Sequence, residues 1–349
     1  MSRELQMEEF AARLGVLGLV FRPLRGEEDY GTVVDLINRS NEADGLDYVV
    51  TVEQIANRFR HRTDLDLSRD TILAEVDGEA IGCGWVRHRQ DAEGARIYSH
   101  YVLVVPEWRA RGVWEAMVDY CESRLREIAA GHPTDGPRFL STYVEECQRE
   151  WAALVRSRGY RPVRYFYDMI RDHLDDLPPA PLPPGLEVRP VRAEHYRAVW
   201  DALTEAFRDH WGFSEPEEED YHQWLSHPHF APDLWQVAWD GDQVAGVAIN
   251  EIDEEENRTF NRQRGYVVSL GVRRPWRGHG LGRALLVRSL AVLRDRGMTE
   301  ACLGVDAENP TGALRLYESV GFRVVREGAV WRKPLEAEMA PREERRCRS

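Results

Sequence analysis

Residues 266–286 read YVVSLGVRRPWRGHGLGRALL: an apolar run, a turn with glycine at three alternate positions, and the start of a periodic apolar segment. Tyr266 to Val272 is rich in β-branched and apolar side chains and predicts a strand. Leu281, Leu285, Leu286, Leu290 and Leu293 fall at helical spacing, so a helix is expected over 281–296, stopped by Gly297. Between the two, Gly278, Gly280 and Gly282 let backbone N–H groups approach a ligand, and the helix that follows turns its unpaired first N–H groups and positive dipole end to the same place. A phosphate or pyrophosphate is the expected occupant. A dinucleotide fingerprint is excluded by Arg283 at its last small position, and a P-loop by the lack of a Gly-Lys-Ser/Thr ending. Downstream, Ala301 to Val305 reads as a short strand, Thr311 to Val320 as a helix closed by Gly321, and Phe322 to Val325 as the start of another strand.

The same pattern occurs twice. GLEVRPVR at 185–192 repeats GLVFRPLR at 18–25, and LWQVAWDGDQVAGVAI at 234–249 matches TILAEVDGEAIGCGWV at 71–86, each an Asp-Gly hairpin signal. Pro106-Glu-Trp-Arg109 stands beside Arg274-Pro-Trp-Arg277, and Gly159-Tyr160 beside Gly321-Phe322. The segment LPPAPLPP at 177–184 lacks a donor N–H at most positions and reads as a stiff linker. The expected organisation is one copy over 17–175, a linker over 176–185, a second copy over 186–335, and a charged, disordered tail over 336–349.

Two segments of the second copy resemble a known family. Arg277-Gly-His-Gly-Leu-Gly282 is similar to the Q/R-x-x-G-x-G/A signature of GNAT acetyltransferases, and Asn309-Pro-Thr-Gly-Ala-Leu-Arg-Leu-Tyr-Glu-Ser-Val-Gly-Phe322 to that family's N-x-x-x-A-x-x-x-Y-x-x-x-G-F segment. The tandem arrangement resembles two-domain proteins of the mycothiol-synthase type. The resemblance implies an α/β fold of two GNAT domains, each a central mixed, mostly antiparallel sheet flanked by helices. It implies an N-acetyltransferase that uses acetyl-CoA as co-substrate and passes the acetyl group directly to a primary amine of a small molecule.

Placed on this chain, the family pattern assigns CoA contacts to Leu270, Gly271, Val272, Arg277, Gly278, His279, Gly280, Leu281, Gly282, Asn309 and Tyr317. A backbone N–H near Leu270 would polarise the thioester carbonyl, Asn309 would steady the pantetheine arm, and Tyr317 would protonate the departing thiolate. The proton of the acceptor amine needs a base, for which the carboxylates of Glu251, Asp306 and Asp209 are candidates, with His210 as a base or polar contact. Asp209, His210 and Trp211 are candidate acceptor contacts. In the first copy only one loop glycine, Gly112, survives; Arg111 and Trp114 add bulk, Val155 stands for Tyr317 and Cys147 for Asn309. That copy reads as a structural partner with at most a weak CoA site. The tandem copies could mimic a GNAT dimer, which makes a monomer the expected state. The alternative to an enzyme is a catalytically weak acyl-CoA-binding regulator or scaffold.

A formal net charge of −14 disfavours nucleic acid and anionic membrane and suits a cationic acceptor drawn by Glu215 to Asp220, Glu251 and Asp253. Five cysteines without a CxxC pair point to neither disulfides nor a metal site, and with no apolar run of membrane length or signal-like start the expected location is the cytoplasm.

Overall fold

The computed structural model describes residues 11–336, so the expected disordered tail lies outside the described residues from 337 on. Among the described residues twelve strands form one sheet: β1 (Leu19–Arg22), β2 (Thr71–Val76), β3 (Glu79–Gln90), β4 (Arg96–Val104), β5 (Arg138–Glu145), β6 (Arg161–Arg171), β7 (Glu187–Val188), β8 (Gln236–Asp240), β9 (Gln243–Glu251), β10 (Arg264–Val272), β11 (Glu300–Asp306) and β12 (Arg323–Pro334). The expected strand at 266–272 begins two residues earlier, and the expected glycine-loop helix is Leu281–Asp295. Both Asp-Gly pairs make hairpins, β2 to β3 and β8 to β9; Asp77 and Gly78 take positive φ of 51° and 84°, the geometry a two-residue hairpin loop favours.

In space the strands run β1-β2-β3-β4-β5-β12-β6-β11-β10-β9-β8-β7. Each half surrenders its last strand to the other. β12 lies between β5 and β6, and β6 lies between β12 and β11, all antiparallel. Burial follows the exchange. Met169, fully buried, and Leu174 from the first half pack in the second half's core with Val267, Leu286 and Leu290, while Ala329 and Trp331 of β12 pack in the first half's core. Complete burial of one such side chain stabilises by about 1.5–3 kcal/mol, so the exchange has an apolar driving force as well as a ladder of hydrogen bonds.

The two parallel pairs are the feature that matters for the site. β10 pairs with β11 only through Arg264↔Glu300 to Tyr266↔Cys302; after that β11 pairs with β6 alone. β4 and β5 likewise part after Ser99↔Ser141. In each half a wedge opens in the sheet, and one backbone edge beyond the last pair is released from the ladder.

The seam is polar as well. Asp47, after the helix Glu27–Asp44, bonds Arg262 at 2.6 Å and Arg264 at 2.8 Å and also contacts Arg326. These guanidinium groups outweigh its burial and hold the carboxyl well below the usual carboxylate range. Across the halves, Asn57 donates to Gln223 O at 3.2 Å and to Ser226 Oγ at 2.8 Å.

Candidate functional site

In the second half the wedge leads into a cavity of about 820 Å³ lined by Leu270, Gly271 and Val272 of β10, the glycine loop, and Ala313, Leu316 and Tyr317 of the helix Ala313–Ser319. Gly278 and Gly280 have φ of 80° and 84°, which side chains other than glycine rarely adopt, and a Cβ built at either would meet nothing within 4 Å. Gly280 caps helix Leu281–Asp295 with no side-chain hydrogen bond and no acidic residue in the first turn. The free N–H groups and the dipole of a 15-residue helix therefore face the cavity uncompensated, an electrostatic setting for an anion.

Arg277 lines the cavity, but its guanidinium is turned into the protein. Its Nε donates to Val272 O at 2.8 Å, one terminal nitrogen to Ala206 O at 3.0 Å, and the other to Asp209 at 2.7 Å. The side chain braces the loop against the helix Tyr196–Phe207 and leaves the anion to the backbone. His279 is not among the lining residues, whereas Leu281 and Gly282 are.

Tyr317 is buried at 8% exposure, with its ring against Phe322. Desolvation pushes its phenol up to about 12, so it is protonated at any physiological pH. Asn309 does not reach the cavity. Its Oδ1 accepts from Thr311 N at 2.8 Å and Thr311 Oγ1 at 2.6 Å, a local turn that competes with ligand binding, and it is the neighbouring Pro310 and Thr311 that line the wall.

The acidic candidates separate. Asp306 is held in a two-point ion pair by Arg164, at 2.8 and 2.9 Å, and is not a cavity-lining residue. Asp209 lines the cavity, but hydrogen bonds from Arg274 and Arg277 hold its carboxyl well below the usual range. Asp209 is thereby a poor proton acceptor, and Asp306 is committed to its ion pair away from the cavity. Glu251, at the end of β9, lies away from the cavity beside His227 and His229, with N···O distances of 3.7 and 3.8 Å. The acidic run is also largely engaged: Glu215 with Arg208 at 2.7 Å, Glu218 with Arg197, and Glu219 with His61 at 2.5 Å. Trp211 serves the seam, its ring 4.4 Å from the Arg332 guanidinium and 5.7 Å from that of Arg164.

Of the three acceptor-side candidates the structure brings two to the cavity, Asp209 and His210. Burial lowers the His210 pKa, keeping the ring neutral, and His210 also lines a cleft of about 680 Å³ between the halves. One wall of that cleft carries Arg58, Arg62, Arg87 and Arg89 together with Asp64, which accepts from Arg62 at 3.1 and 2.9 Å; the other carries Glu215, Glu217, Glu219 and Asp220. The arginine wall belongs to the first half and carries no family signature, so sequence reading missed it.

The first half's wedge is filled. Trp114, at the place of Gly282, stacks on Trp151, at the place of Ala313, with ring centroids 5.2 Å apart and planes 15° apart. The Trp114 indole donates to Val102 O at 3.4 Å, on the strand edge that corresponds to Leu270. Arg109 repeats the brace of Arg277, donating to Val104 O at 3.0 Å and pairing with Asp44 at 2.6 Å. The architecture of the site survives there with its space occupied by indole.

The model of the Acetyltransferase (GNAT) family matches residues 33–133 and 196–322, together more than half of the chain. The chain belongs to the GNAT family: it is an N-acetyltransferase carrying two GNAT domains in tandem. Among curated relatives, the mycothiol acetyltransferase of Catenulispora acidiphila is 28% identical over 316 residues, covering 88% of this chain and 95% of that one. The mycothiol acetyltransferase of Thermobifida fusca is 30% identical over 323 residues, covering 85% and 92%. Among solved structures, a GCN5-related N-acetyltransferase from Sphaerobacter thermophilus superposes with a TM-score of 0.68 at 29% identity, covering 91% of this chain and 96% of that one. A tandem GNAT protein from the clavulanic acid biosynthesis pathway shares the fold at a TM-score of 0.66 and 17% identity, covering 91% and 99%. No helix of the described residues is long and apolar enough to cross a membrane.

Proposed function

We propose that the second half, residues 186–335, is the catalytic domain, that its wedge and cavity seat acetyl-CoA, and that the acetyl group passes by direct attack to a primary amine of a small molecule. The observation that carries this reading is the convergence in one cavity of an uncapped helix N-terminus behind a glycine loop, a released strand edge at 270–272, and the buried phenol of Tyr317. The pyrophosphate lies on the N–H groups of residues 278–282, and the pantetheine arm adds to β10 as an extra strand. The thioester carbonyl accepts a backbone hydrogen bond near Leu270 as it gains negative charge.

The acceptor enters by the cleft between the halves, where neutral His210 takes the proton of the attacking amine. The amine lone pair forms the C–N bond, the C–S bond breaks, and Tyr317 donates to the sulfur as charge develops on it. Cys302 takes no covalent part: burial pushes its thiol up to about 12, leaving almost no thiolate at neutral pH. The facing arginine and carboxylate walls suit an acceptor that carries an anionic or hydroxyl-rich group along with its amine, in place of the purely cationic acceptor that net charge suggests. The first half, residues 17–175, is a structural partner that supplies one wall of the cleft.

The test is a thiol-release screen of the purified protein against amines, amino acids, amino sugars and peptide N-termini. Acceptors of the mycothiol type come first because relatives carry that name. Amine-dependent CoA release is expected. Tight acetyl-CoA binding without amine-dependent release would instead support an acyl-CoA-binding regulator.

A further inference from the structure

The loop between helix Glu218–Leu225 and β8 contains His227-Pro-His229, and the end of β9 brings Glu251 against it. One donor atom from each of these three residues lies within 4.8 Å of the other two. His227 Nδ1 accepts a hydrogen bond from His229 N at 3.3 Å, which a bound ion would displace. The same nitrogen is 3.7 Å from Glu251 Oε1, and His229 Nδ1 is 3.8 Å from Glu251 Oε2. These separations are too long for hydrogen bonds. They run to the two oxygens of one carboxylate and exceed by a few tenths of an ångström the edge of a tetrahedron around zinc, which bond lengths of about 2.1 Å set at about 3.4 Å.

A fourth residue completes the pattern. Asp253 is buried; its Oδ1 caps the helix Glu254–Thr259 by accepting from Glu256 N at 2.8 Å, and its Oδ2 stands 3.6 Å from the other ring nitrogen of His229. At 3.6 Å this is not yet a hydrogen bond, but the carboxylate stands behind the imidazole, where a shift of a few tenths of an ångström would let it orient a metal-binding ring and fix its tautomer. The loop is also held in place. Phe230 packs on Trp224 and Trp235 with ring centroids 5.2 and 4.9 Å apart, anchoring the chain next to His229. The side chains of His229 and Glu251 are 19% and 20% exposed, so an ion could enter and keep a water as fourth ligand.

We propose that His227, His229 and Glu251 bind a divalent transition-metal ion of the zinc class, with Asp253 orienting His229. Two imidazoles and one carboxylate favour zinc, cobalt or nickel over magnesium or calcium, which prefer all-oxygen shells. The bound ion ties the loop after helix Glu218–Leu225 to the end of β9. The site lies apart from the CoA cavity and does not depend on the function proposed above.

The experiment titrates Zn2+ alone into the chelator-stripped, tag-free, full-length protein by calorimetry, with thermal melting in parallel. One equivalent is expected, together with a rise in Tm. His227→Ala and His229→Ala each abolish the tight site, and Asp253→Asn, which keeps an N-cap acceptor, weakens it by about 10- to 100-fold. Circular dichroism checks that each variant is folded. Co2+ added to the unmutated protein gives an independent readout, since coordination by this set produces the intense visible bands of a four-coordinate ion. Absence of stoichiometric binding, a Co2+ spectrum of the hexa-aqua type, or binding that persists in the folded His227→Ala and His229→Ala variants would overturn the proposal, the last showing surface histidines only.

Discussion

Tyr317→Phe removes one hydroxyl from the CoA cavity and leaves the ring against Phe322. The phenol sits at about 12. Burial has made the phenol the weaker acid of the pair, so complete proton transfer from Tyr317 to a free thiolate is uphill. The role that the geometry supports is therefore a hydrogen bond that strengthens as charge collects on the departing sulfur, the proton crossing only as the amine's proton leaves through His210. A hydrogen bond to a charged group contributes about 1.5–3 kcal/mol, which predicts a fall in kcat of about 10- to 150-fold. Acetyl-CoA affinity should stay within a few-fold, because the bond matters little while the sulfur is neutral, and Tm should barely move. Single-turnover kinetics at saturating acetyl-CoA and acceptor is the measurement, so that slow product release cannot mask the chemical step. A single-turnover rate within threefold of the parent would refute the assignment and return Tyr317 to the core.

Calorimetry with acetyl-CoA should find one tight site per chain; Gly280→Glu, which puts a carboxylate and a strained φ at the helix start, should remove it, while Gly112→Glu should not. Asp47→Asn should destabilise the protein at pH 7. Because the folded-state pKa of Asp47 is depressed, its contribution is present above the unfolded value near 3.9 and fades as pH falls toward the folded one, so the Tm difference between parent and variant should shrink below about pH 4. His210→Gln should lower kcat. Since burial depresses the His210 pKa, the acid limb of the parent kcat profile should lie below pH 6.5, and a limb above that value would argue against His210 as base.

Much of the fold was legible because it is written in local patterns. The Asp-Gly pairs, the leucines from 281 to 293 and the glycines at 278 and 280 each specify short-range geometry, and the structure follows them to within a few residues. The strand exchange was not legible. β6 and β12 occupy matching places in the repeat, and nothing within either strand says whether it closes its own half or the other; only the packing of Met169 and Trp331 decides. The glycine loop was read from its spacing, but the fate of individual side chains depended on partners far away in sequence. Asp306 meets Arg164, Asp209 meets Arg274 and Arg277, and Trp151 meets Trp114. The His227–His229–Glu251 group escaped for the same reason, since a loop and a strand end about twenty residues apart carry no joint signal until the sheet brings them together.

The exchanged strands also govern the order in which the chain can finish folding. A nascent first half has its own sequence complete at Arg171, yet the edge of β5 has no partner until β12, near the opposite end of the chain, has been made. Through nearly half of synthesis that edge presents open backbone groups and the apolar site that Trp331 will fill, the kind of surface that invites misassembly with a neighbouring chain. Pairing at this distance along the chain is slow to find its register. β12, the last strand of the described residues, is thus the one that seals the first half, which becomes native only once the second half has been made.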